Sequence, residues 1–331
     1  MAQLINFAPF LSGTPAEKHS AAVSVTDAFR NSGFVYLKNH GIAPSMVHKA
    51  FTSSARFFAR PQDQKDNLCW TTPRSNRGYI ATGQEKLSQS DDTAGIRVLK
   101  DTYPDLKETM EIGREGVDGQ PNRWPDHFDE EGRAFKQTML SFWDQCKILH
   151  MQIMQAIALA MNLPEHFFDE YIDAGDNNLR LLHYPPVRKD IFQKQPGQVR
   201  GGEHSDYGTI TILFQDARGG LQVRSPKGTF VDVTPIPDTI IVNTGDLLAR
   251  WFNDTIMSTR HRVVEPPLPA EGTEEKYSDM YPARYSVAYF CNPNMDRFIE
   301  ALPGTYGGDQ KKKYPGIKVI DFLVQRLSAT I

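Results

Sequence analysis

The sequence predicts an α+β protein whose core is mainly β: a jelly roll of antiparallel strands with flanking helices. Seven short apolar segments follow one another closely after residue 178, with turn residues between them, a spacing typical of an antiparallel sandwich or jelly roll. Before them, apolar residues recur at helical spacing over about 131–163, which predicts one long amphipathic helix. No repeat or low-complexity linker is apparent, so we expect one compact unit over 1–331.

The first third of the chain mixes helix, strand and loop signals. The segment AEKHSAAVSVTDAFRNSG predicts a helix that ends near Gly33, and FVYLKNHGI predicts a strand and a turn. The segment PSMVHKAFTSSARFFARP predicts a second helix, which Pro61 stops. Residues 70–128 are rich in Gly, Pro and Asp, so we expect loops there that border a site.

The predicted β core and its flanks divide the chain into four parts. The strand segments are LRLLHYPP, TITILFQD, GLQVRSP, TFVDVTPI, TIIVNTGD, HRVVEPP and RYSVAYFCNPN. The terminal segment KVIDFLVQRLSATI predicts a helix that packs on the outside. We therefore expect an N-terminal helical and loop region over 1–128, a support helix within 129–175, the β core over 176–300 and a C-terminal helix within 301–331.

Composition and charge favour a cytoplasmic enzyme that binds neither nucleic acid nor membranes. The formal net charge is −3, which gives no general attraction to polyanions, and the basic run at 311–313 fits a solvated loop. No apolar segment approaches the roughly 20 residues that span a bilayer, and the N-terminus has no secretion-signal pattern. Three scattered cysteines, Cys69, Cys146 and Cys291, suit a reducing compartment. No feature fixes an oligomeric state.

A histidine and an aspartate stand just before an apolar β-branched run in GGEHSDYGTITILF. Alternate strand residues face the same side, so His204 and Asp206 can converge on one point. His261 is the other histidine of the strand-rich half that can join them. Two imidazoles and a carboxylate form the ligand set of non-haem Fe(II) oxygenases. A zinc hydrolase could use the same ligands, and on a structural interpretation His204 is a core histidine and Asp206 caps a turn.

An arginine faces inward from an apolar strand in RYSVAYF. Strand alternation places Arg284 and Ser286 on one face, and a buried guanidinium needs an anion. Its planar fork suits a carboxylate, to which the serine hydroxyl can also donate. A dicarboxylate that chelates a metal at one end and contacts Arg284 at the other fits this pattern. The alternative is that Arg284 reaches an exposed acidic residue.

With these residues in this order, the chain resembles the Fe(II)/2-oxoglutarate-dependent dioxygenases of the isopenicillin N synthase-like group. The likeness extends over nearly the whole chain and includes the strings GFVYLKNHGI, RFFARP, NRGYI, LLHYPP, GGLQV, NTGDLLARW and STRHRVV. It implies a double-stranded β-helix, cupin-like, with flanking helices, and an enzyme that binds Fe(II) and takes 2-oxoglutarate and O2 as co-substrates. It also implies that Arg284 and Ser286 hold the distal carboxylate of 2-oxoglutarate and that Tyr184 contacts this co-substrate.

Within that family, several strings are similar to the fungal thymine 7-hydroxylases: TTPRSNRGY, DLKETMEIGRE, LRLLHYP, GEHSDYG, ILFQDARGGLQV and FCNPN. The likeness implies hydroxylation of the methyl group of thymine, with onward oxidation to the aldehyde and acid as an option. It also implies a pyrimidine site formed by Asn177, Arg180, Tyr207 and Phe290. Aromatic rings can stack on a flat base, and amide and guanidinium groups suit its polar edge. On a structural interpretation the two rings are core residues and Arg180 pairs with Asp176.

Three alternatives and one departure from the family pattern accompany this hypothesis. The same chemistry could act on a fungal secondary metabolite, the chain could be an oxidase that uses no 2-oxoglutarate, or it could be a silent binding protein. The charged segment over 266–283 reads as an insertion between His261 and Arg284, either a lid over the substrate or a surface loop. We expect a small-molecule substrate in each enzymatic case.

Overall fold

The computed structural model describes residues 2–70, 76–85, 103–268 and 278–328 of the chain. Its strands, in chain order, are β1 (Gln3–Asn6), β2 (Phe34–Lys38), β3 (Gly78–Ile80), β4 (Glu108–Gly113), β5 (Asn178–Tyr184), β6 (Val187–Arg188), β7 (Gly201–His204), β8 (Ile210–Gln215), β9 (Leu221–Arg224), β10 (Phe230–Asp232), β11 (Thr239–Thr244), β12 (His261–Val263), β13 (Met280–Tyr281), β14 (Arg284–Cys291), β15 (Phe298–Ile299) and β16 (Ile317–Lys318).

The helices lie mainly outside the β core. They are α1 (Ala8–Ser12), α2 (Pro15–Ser32), α3 (Pro44–Phe58), α4 (Gln62–Asp66), α5 (Glu130–Ala160), α6 (Asp169–Ile172), α7 (Ile191–Lys194), α8 (Asp246–Trp251) and α9 (Val319–Ser328), with a 3-10 turn at Pro125–His127. Among these described helices, none is long and apolar enough to cross a membrane.

Local sequence chemistry fixes where the long helices begin and end. Thr14 and Glu17 form a reciprocal capping box at the start of α2, and Gly33 ends this helix in the left-handed conformation at φ 67°. A side chain at Gly33 would also meet Thr259 Oγ1 at 2.5 Å. The side chain of Asp129 accepts a hydrogen bond from Gly132 N at 2.6 Å and begins α5.

Two sheets face each other and form a jelly roll. The larger has eight strands in the order β1-β2-β11-β8-β14-β5-β4-β3, and the smaller has four in the order β10-β9-β12-β7. Every pairing within them is antiparallel except that of β1 with β2. Two further strand pairs, β13–β6 and β15–β16, stand apart.

The large sheet is covered on both faces, which explains its apolar composition. Helix α5 packs on α2 and α3 and reaches strands β8 and β14, and the main hydrophobic cluster lies between this helical layer and the sheet. A second, smaller cluster lies between the two sheets and includes Phe34, Leu182, Val223 and Val263. This second space is also where the polar residues of the predicted site collect.

The structure confirms the predicted fold class and most predicted elements. The seven predicted strands appear as β5, β8, β9, β10, β11, β12 and β14, and the long helix runs from Glu130 to Ala160. The prediction of loops over 70–128 is wrong at β3 and β4, which extend the large sheet next to β5, and its parts over 71–75 and 86–102 lie outside the described residues. Strand β4 has the sequence ETMEIG. Its two glutamates interrupt the apolar pattern by which a buried strand is recognised in a sequence.

Candidate metal centre and co-substrate cavity

An open cavity lies between the two sheets, and its lining includes most of the predicted site residues. The large sheet contributes Arg180, Tyr184, Arg284, Ser286 and Phe290 to its wall. The small sheet and the loop after β7 contribute His204, Asp206 and His261. The alternation inferred for RYSVAYF is therefore correct, since Arg284, Ser286, Ala288 and Phe290 all line the cavity.

Strand pairing brings the two histidines together. His204 is the last residue of β7 and His261 is the first of β12, and the two are direct partners in the ladder. Asp206 lies two residues beyond the end of β7, so the loop places its carboxylate where strand alternation alone was expected to do so. Its Oδ1 is 3.8 Å from His204 Nε2 and 3.7 Å from His261 Nε2. Ligand atoms that share one ion at about 2.1 Å lie at most about 4.2 Å apart. Both carboxylate–imidazole distances meet this limit, and the three ligand atoms all lie within 4.8 Å of one another.

Hydrogen bonds to neighbouring groups leave the ligand atoms available. Nδ1 of His204 donates to the Gly202 carbonyl at 2.8 Å, which leaves the Nε2 lone pair for a metal. Oδ2 of Asp206 accepts from Thr211 Oγ1 and from Asn243 Nδ2, both at 2.6 Å. These bonds leave Oδ1 as the free carboxylate oxygen. The donor set therefore fits a metal ion better than it fits a satisfied structural cluster.

Packing holds the rest of the triad in place. The His261 ring makes an edge contact with Phe34, with 5.7 Å between the ring centroids, and lies 4.3 Å from the His204 ring. The backbone of Asp206 is fixed as well, because Asp246 N donates to its carbonyl at 2.8 Å. A side chain at Gly208 would lie 2.2 Å from the Cys291 carbonyl, so the loop that carries Asp206 can approach β14 only with glycine at this position.

The electrostatics of the triad favour the metal-binding protonation states. Burial and the neighbouring His261 imidazole lower the pKa of His204 to about 3. Burial alone would raise the pKa of Asp206, but the two imidazoles and the bonds from Thr211 and Asn243 hold it below its ordinary value. His204 is therefore neutral and Asp206 ionised at neutral pH, as metal coordination requires.

Arg284 is buried at the far side of the cavity. Only 1% of the residue is exposed, and its Nε donates to the Gly219 carbonyl at 3.0 Å. One terminal nitrogen donates to Ser286 Oγ at 3.2 Å, and the guanidinium carbon lies 4.8 Å from the centre of the Tyr184 ring. Within the described ranges, no carboxylate comes within 4.0 Å of Arg284. The expected exposed acidic partner is therefore not found there, and the guanidinium remains available to an anion.

Arg180 also lines the cavity, but it is paired with two buried glutamates. Its Nε lies 2.5 Å from Glu111 Oε1, an ion pair whose geometry is not that of a hydrogen bond. One terminal nitrogen donates to Glu85 Oε1 at 3.2 Å. The suggested partner Asp176 instead pairs with Arg114 at 2.9 Å. Burial alone would lower the pKa of Arg180, but the two glutamates raise it. Arg180 is thus a fixed positive charge.

The cavity face of Arg180 adjoins Phe290 and a lysine that the sequence analysis did not identify. The guanidinium carbon of Arg180 lies 5.4 Å from the centre of the Phe290 ring. Lys107 lines the same cavity and pairs with Glu85 and, at 3.6 Å, with Asp105. Burial alone would lower the pKa of Lys107, but these two carboxylates raise it. Two cations of the cavity wall therefore pair with the same glutamate, Glu85.

Asn177 and Tyr207, the other two predicted pyrimidine contacts, do not line the cavity. Asn177 Nδ2 donates to the Tyr289 hydroxyl at 2.9 Å, and its Oδ1 accepts from Asn292 N at 2.8 Å. The Tyr207 ring stacks against Arg326, whose guanidinium carbon is 4.6 Å from the ring centre. Half of the predicted insertion, 269–277, lies outside the described residues.

Sequence reasoning missed the residues that support the predicted site. Thr211 and Asn243 lie in different segments, TITILF and NTGD, and only strand pairing brings them to Asp206. The one signal in the sequence was that each is a polar residue within an otherwise apolar strand. Glu85, Lys107 and Glu111 come from the region predicted as loops, so no strand face could be assigned to them.

Comparison with known proteins gives concordant results. A family model described as the 2OG-Fe(II) oxygenase superfamily matches residues 175–293. A second, described as the N-terminal part of non-haem dioxygenases in morphine synthesis, matches residues 3–127.

Among solved structures, a full-length Neurospora crassa protein in complex with alpha-KG and thymine is 51% identical, with a TM-score of 0.90 over 99% of this chain and 96% of that one. The same protein with alpha-KG and 5-formyluracil gives 49% identity and a TM-score of 0.86 over 98% and 94% of the two chains.

Two curated fungal relatives are more distant. A 2-oxoglutarate-Fe(II) type oxidoreductase, ppzD, of Metarhizium rileyi is 36% identical over 98% of this chain and 90% of its own length. The proline hydroxylase buaE of Petromyces alliaceus is 35% identical over 94% and 93%. Taken with the His-Asp-His cluster, these matches establish that the chain belongs to the 2OG-Fe(II) oxygenase superfamily and is an enzyme that uses Fe(II) and 2-oxoglutarate.

Proposed function

We propose that this oxygenase hydroxylates the methyl group of a pyrimidinedione, with thymine as the substrate. The observation that carries the proposal is the wall formed by Arg180 and Phe290 in the cavity that also holds the metal triad. A ring and a fixed guanidinium side by side suit a flat base with carbonyl oxygens. The 51% identity to the Neurospora crassa protein solved with thymine supports the same substrate class.

His204, Asp206 and His261 would hold Fe(II), the ion to which a 2-His-1-carboxylate set with open positions is suited. When bound, the iron supplies O2 activation coupled to decarboxylation of 2-oxoglutarate, so that one oxygen atom enters the substrate and the other enters succinate. The chain itself fixes the three ligand atoms through the partners of His204 and Asp206, and it surrounds them with apolar side chains of both sheets.

Arg284, Ser286 and Tyr184 would bind the distal carboxylate of 2-oxoglutarate. Arg284 donates to the main chain through Nε, and its terminal nitrogens contact Ser286 and Gln215. Each terminal nitrogen carries two N–H groups, so one on each is left for the carboxylate oxygens. Ser286 Oγ lies beside one of these nitrogens and can donate its own proton to the same anion. Burial of all three residues strengthens such charge-assisted hydrogen bonds, because little water competes for them.

The substrate end would use Phe290 for stacking and Arg180 for the carbonyl oxygens. Glu85 and Glu111 pair with part of the Arg180 guanidinium and hold it at the wall. Its remaining N–H groups therefore have fixed directions, so substrate binding through them costs little side-chain entropy. Tyr207 also acts to raise the pKa of Arg180, after the two glutamates. Since both ends of the Asn177 amide are already bonded, we assign Asn177 the role of supporting the end of β14 rather than contacting the base.

A second candidate is the same chemistry on a different fungal metabolite. The relatives that favour it are an oxidoreductase and a proline hydroxylase at 36% and 35% identity. Their lower identity makes them weaker guides to the substrate than the Neurospora crassa structures. The polar wall of Arg180 and Lys107 would in that case bind a carboxylate or carbonyl group of the metabolite.

A substrate panel separates these candidates. Purified enzyme with Fe(II), 2-oxoglutarate and ascorbate is supplied in turn with thymine, with uracil, which lacks the methyl group, and with L-proline. Succinate and product masses are then measured. We expect succinate and an oxygenated product in equal amounts with thymine, and little of either with uracil. Coupled turnover of proline but not of thymine would refute the thymine assignment, and turnover without 2-oxoglutarate would indicate an oxidase.

A further inference from the structure

A second arginine is buried near Arg284 with most of its donors unused. Arg200, which directly precedes β7, is 0% exposed. One terminal nitrogen contacts the Pro185 carbonyl at the long distance of 3.5 Å, and its Nε and other terminal nitrogen have no hydrogen-bond partner among the described residues. In the described part of the chain, no carboxylate pairs with it. A buried cation in this state is strongly unfavourable unless a ligand compensates for it.

The position of Arg200 connects it with the co-substrate end of the cavity. Its backbone N donates to the Val263 carbonyl at 2.8 Å, which places it beside β12. Its side chain reaches Pro185, the residue after Tyr184. Tyr184 in turn is the ladder partner of Arg284. Arg200 and Arg284 therefore both lie at the end of β5, Arg200 against Pro185 and Arg284 against Tyr184.

Arg200 remains charged in this environment. Burial and the neighbouring Arg284 guanidinium lower the pKa of Arg200 to about 10, which is still well above neutral pH. Among carboxylates, Asp216 acts to raise the pKa of Arg200, but it already accepts from the backbone N of Tyr285 and of Arg218. Two buried guanidinium groups thus share one region of the protein with too little negative charge to balance them.

We propose that Arg200 is a positioning residue that selects a dicarboxylate over a monocarboxylate 2-oxo acid at this site. It does not line the cavity, so it acts through the positive potential that it adds behind Tyr184 and Arg284. In a buried region this potential is weakly screened and favours a ligand that carries a second negative charge. The inference rests on the proposed binding of 2-oxoglutarate at Arg284.

The test compares two ligands of equal chain length. Full-length protein loaded with Mn(II), which does not support turnover, is titrated calorimetrically with 2-oxoglutarate and with 2-oxovalerate, which has a methyl group in place of the distal carboxylate. We expect Arg200→Met to weaken 2-oxoglutarate binding about tenfold or more and 2-oxovalerate binding by less than about threefold. Arg200→Lys keeps the charge and should retain most of the preference.

Stability measurements separate this role from a structural one. Replacing a buried unpaired charge by an apolar side chain is often neutral or stabilising, so ligand-free Arg200→Met should unfold at the wild-type temperature or above. As a control, Arg60→Met removes a buried arginine that pairs with Asp129 elsewhere; it should lower stability and leave the ligand preference unchanged.

Two results would overturn the inference. One is an equal loss of affinity for both ligands in Arg200→Met, and the other is wild-type affinity for 2-oxoglutarate in that variant. Should Arg200→Met not fold, Arg200→Gln provides the same comparison without the charge. Failure of the wild-type protein to bind 2-oxoglutarate would instead count against the proposed function.

Discussion

Thr211 and Asn243 are direct ladder partners on β8 and β11, and both donate to the same oxygen, Oδ2 of Asp206, at 2.6 Å. The large sheet thereby orients a carboxylate that belongs to a loop at the edge of the small sheet. This relationship joins the two layers of the jelly roll at the metal centre. We therefore expect the metal affinity to depend on two residues that are not themselves ligands.

We predict that Asn243→Ala weakens divalent-metal binding by about 10- to 100-fold, because partners that orient a ligand typically contribute this much to metal affinity. Thr211→Val should act in the same direction. Calorimetric titration of metal-free protein with Mn(II) measures the effect. Thr239→Val, at the far end of β11 where the hydroxyl donates to the Ile236 carbonyl, is the matched control. Unchanged affinity in both site variants would show that Asp206 needs no such support.

Arg284→Lys should raise the KM for 2-oxoglutarate by about tenfold or more, although the positive charge is kept. The planar fork of arginine can bind a carboxylate through two nitrogens, whereas an ammonium group cannot. The KM for the pyrimidine should stay close to the wild-type value, which serves as an internal control. Steady-state succinate release at varied 2-oxoglutarate gives both constants. If the two KM values rise together, Arg284 contributes to the whole cavity rather than to the co-substrate.

Phe290→Leu keeps an apolar side chain on the cavity wall but removes the ring. We expect the KM for thymine to rise by up to about tenfold, since aromatic pairs contribute roughly 0.5–1.5 kcal/mol beyond area burial. The KM for 2-oxoglutarate should not change. Thymine kinetics at saturating 2-oxoglutarate test this expectation, and a wild-type KM would place the base elsewhere in the cavity.

The buried His150 should make the folded protein sensitive to acid. Burial lowers the pKa of His150 to about 3, whereas an unfolded histidine titrates near about 6.5. The unfolded state therefore takes up the proton first, so this contribution to stability is complete above about pH 6.5 and is lost as the pH falls toward 3, by up to about 1.4 kcal/mol per pH unit.

Urea unfolding of metal-free protein between pH 6.5 and 4.5 measures this loss. His150→Asn should reduce the dependence on pH, even if the variant is less stable at pH 7, and part of the slope should remain because the pKa of His204 is also lowered to about 3. His127→Asn, at an exposed side chain, is the control and should keep the wild-type slope. The same slope in His150→Asn as in the wild type would mean that other groups govern acid unfolding.

The sequence predicted the centre of the site better than its surroundings, for physical reasons. Ligands and anion-binding residues such as His204 and Arg284 are conspicuous, because polar groups in apolar strands need an explanation. The strand that carries His204 ends at that residue, so the loop rather than strand alternation delivers Asp206. Supporting residues such as Asn243 depend on which strands are neighbours, and a single sequence does not give the strand order.

The proposed substrate wall was harder to predict because its arginine is held by charge pairs. Arg180 was identified, but its partners Glu85 and Glu111 lie in a region whose polar composition predicted loops. Asn177 has the chemistry of a base-binding residue, yet its amide is engaged with Tyr289 and Asn292. Residue type alone does not distinguish a group that faces a cavity from one that is bonded behind its wall.

The most direct test of the central claim is thymine-dependent succinate release by the wild type and by Asp206→Ala, each assayed with Fe(II) and 2-oxoglutarate. The account predicts that the wild type forms one succinate for each hydroxylated pyrimidine and that Asp206→Ala forms neither product while remaining folded. Succinate release by Asp206→Ala at the wild-type rate would contradict the assignment of this carboxylate, and with it the proposed metal centre.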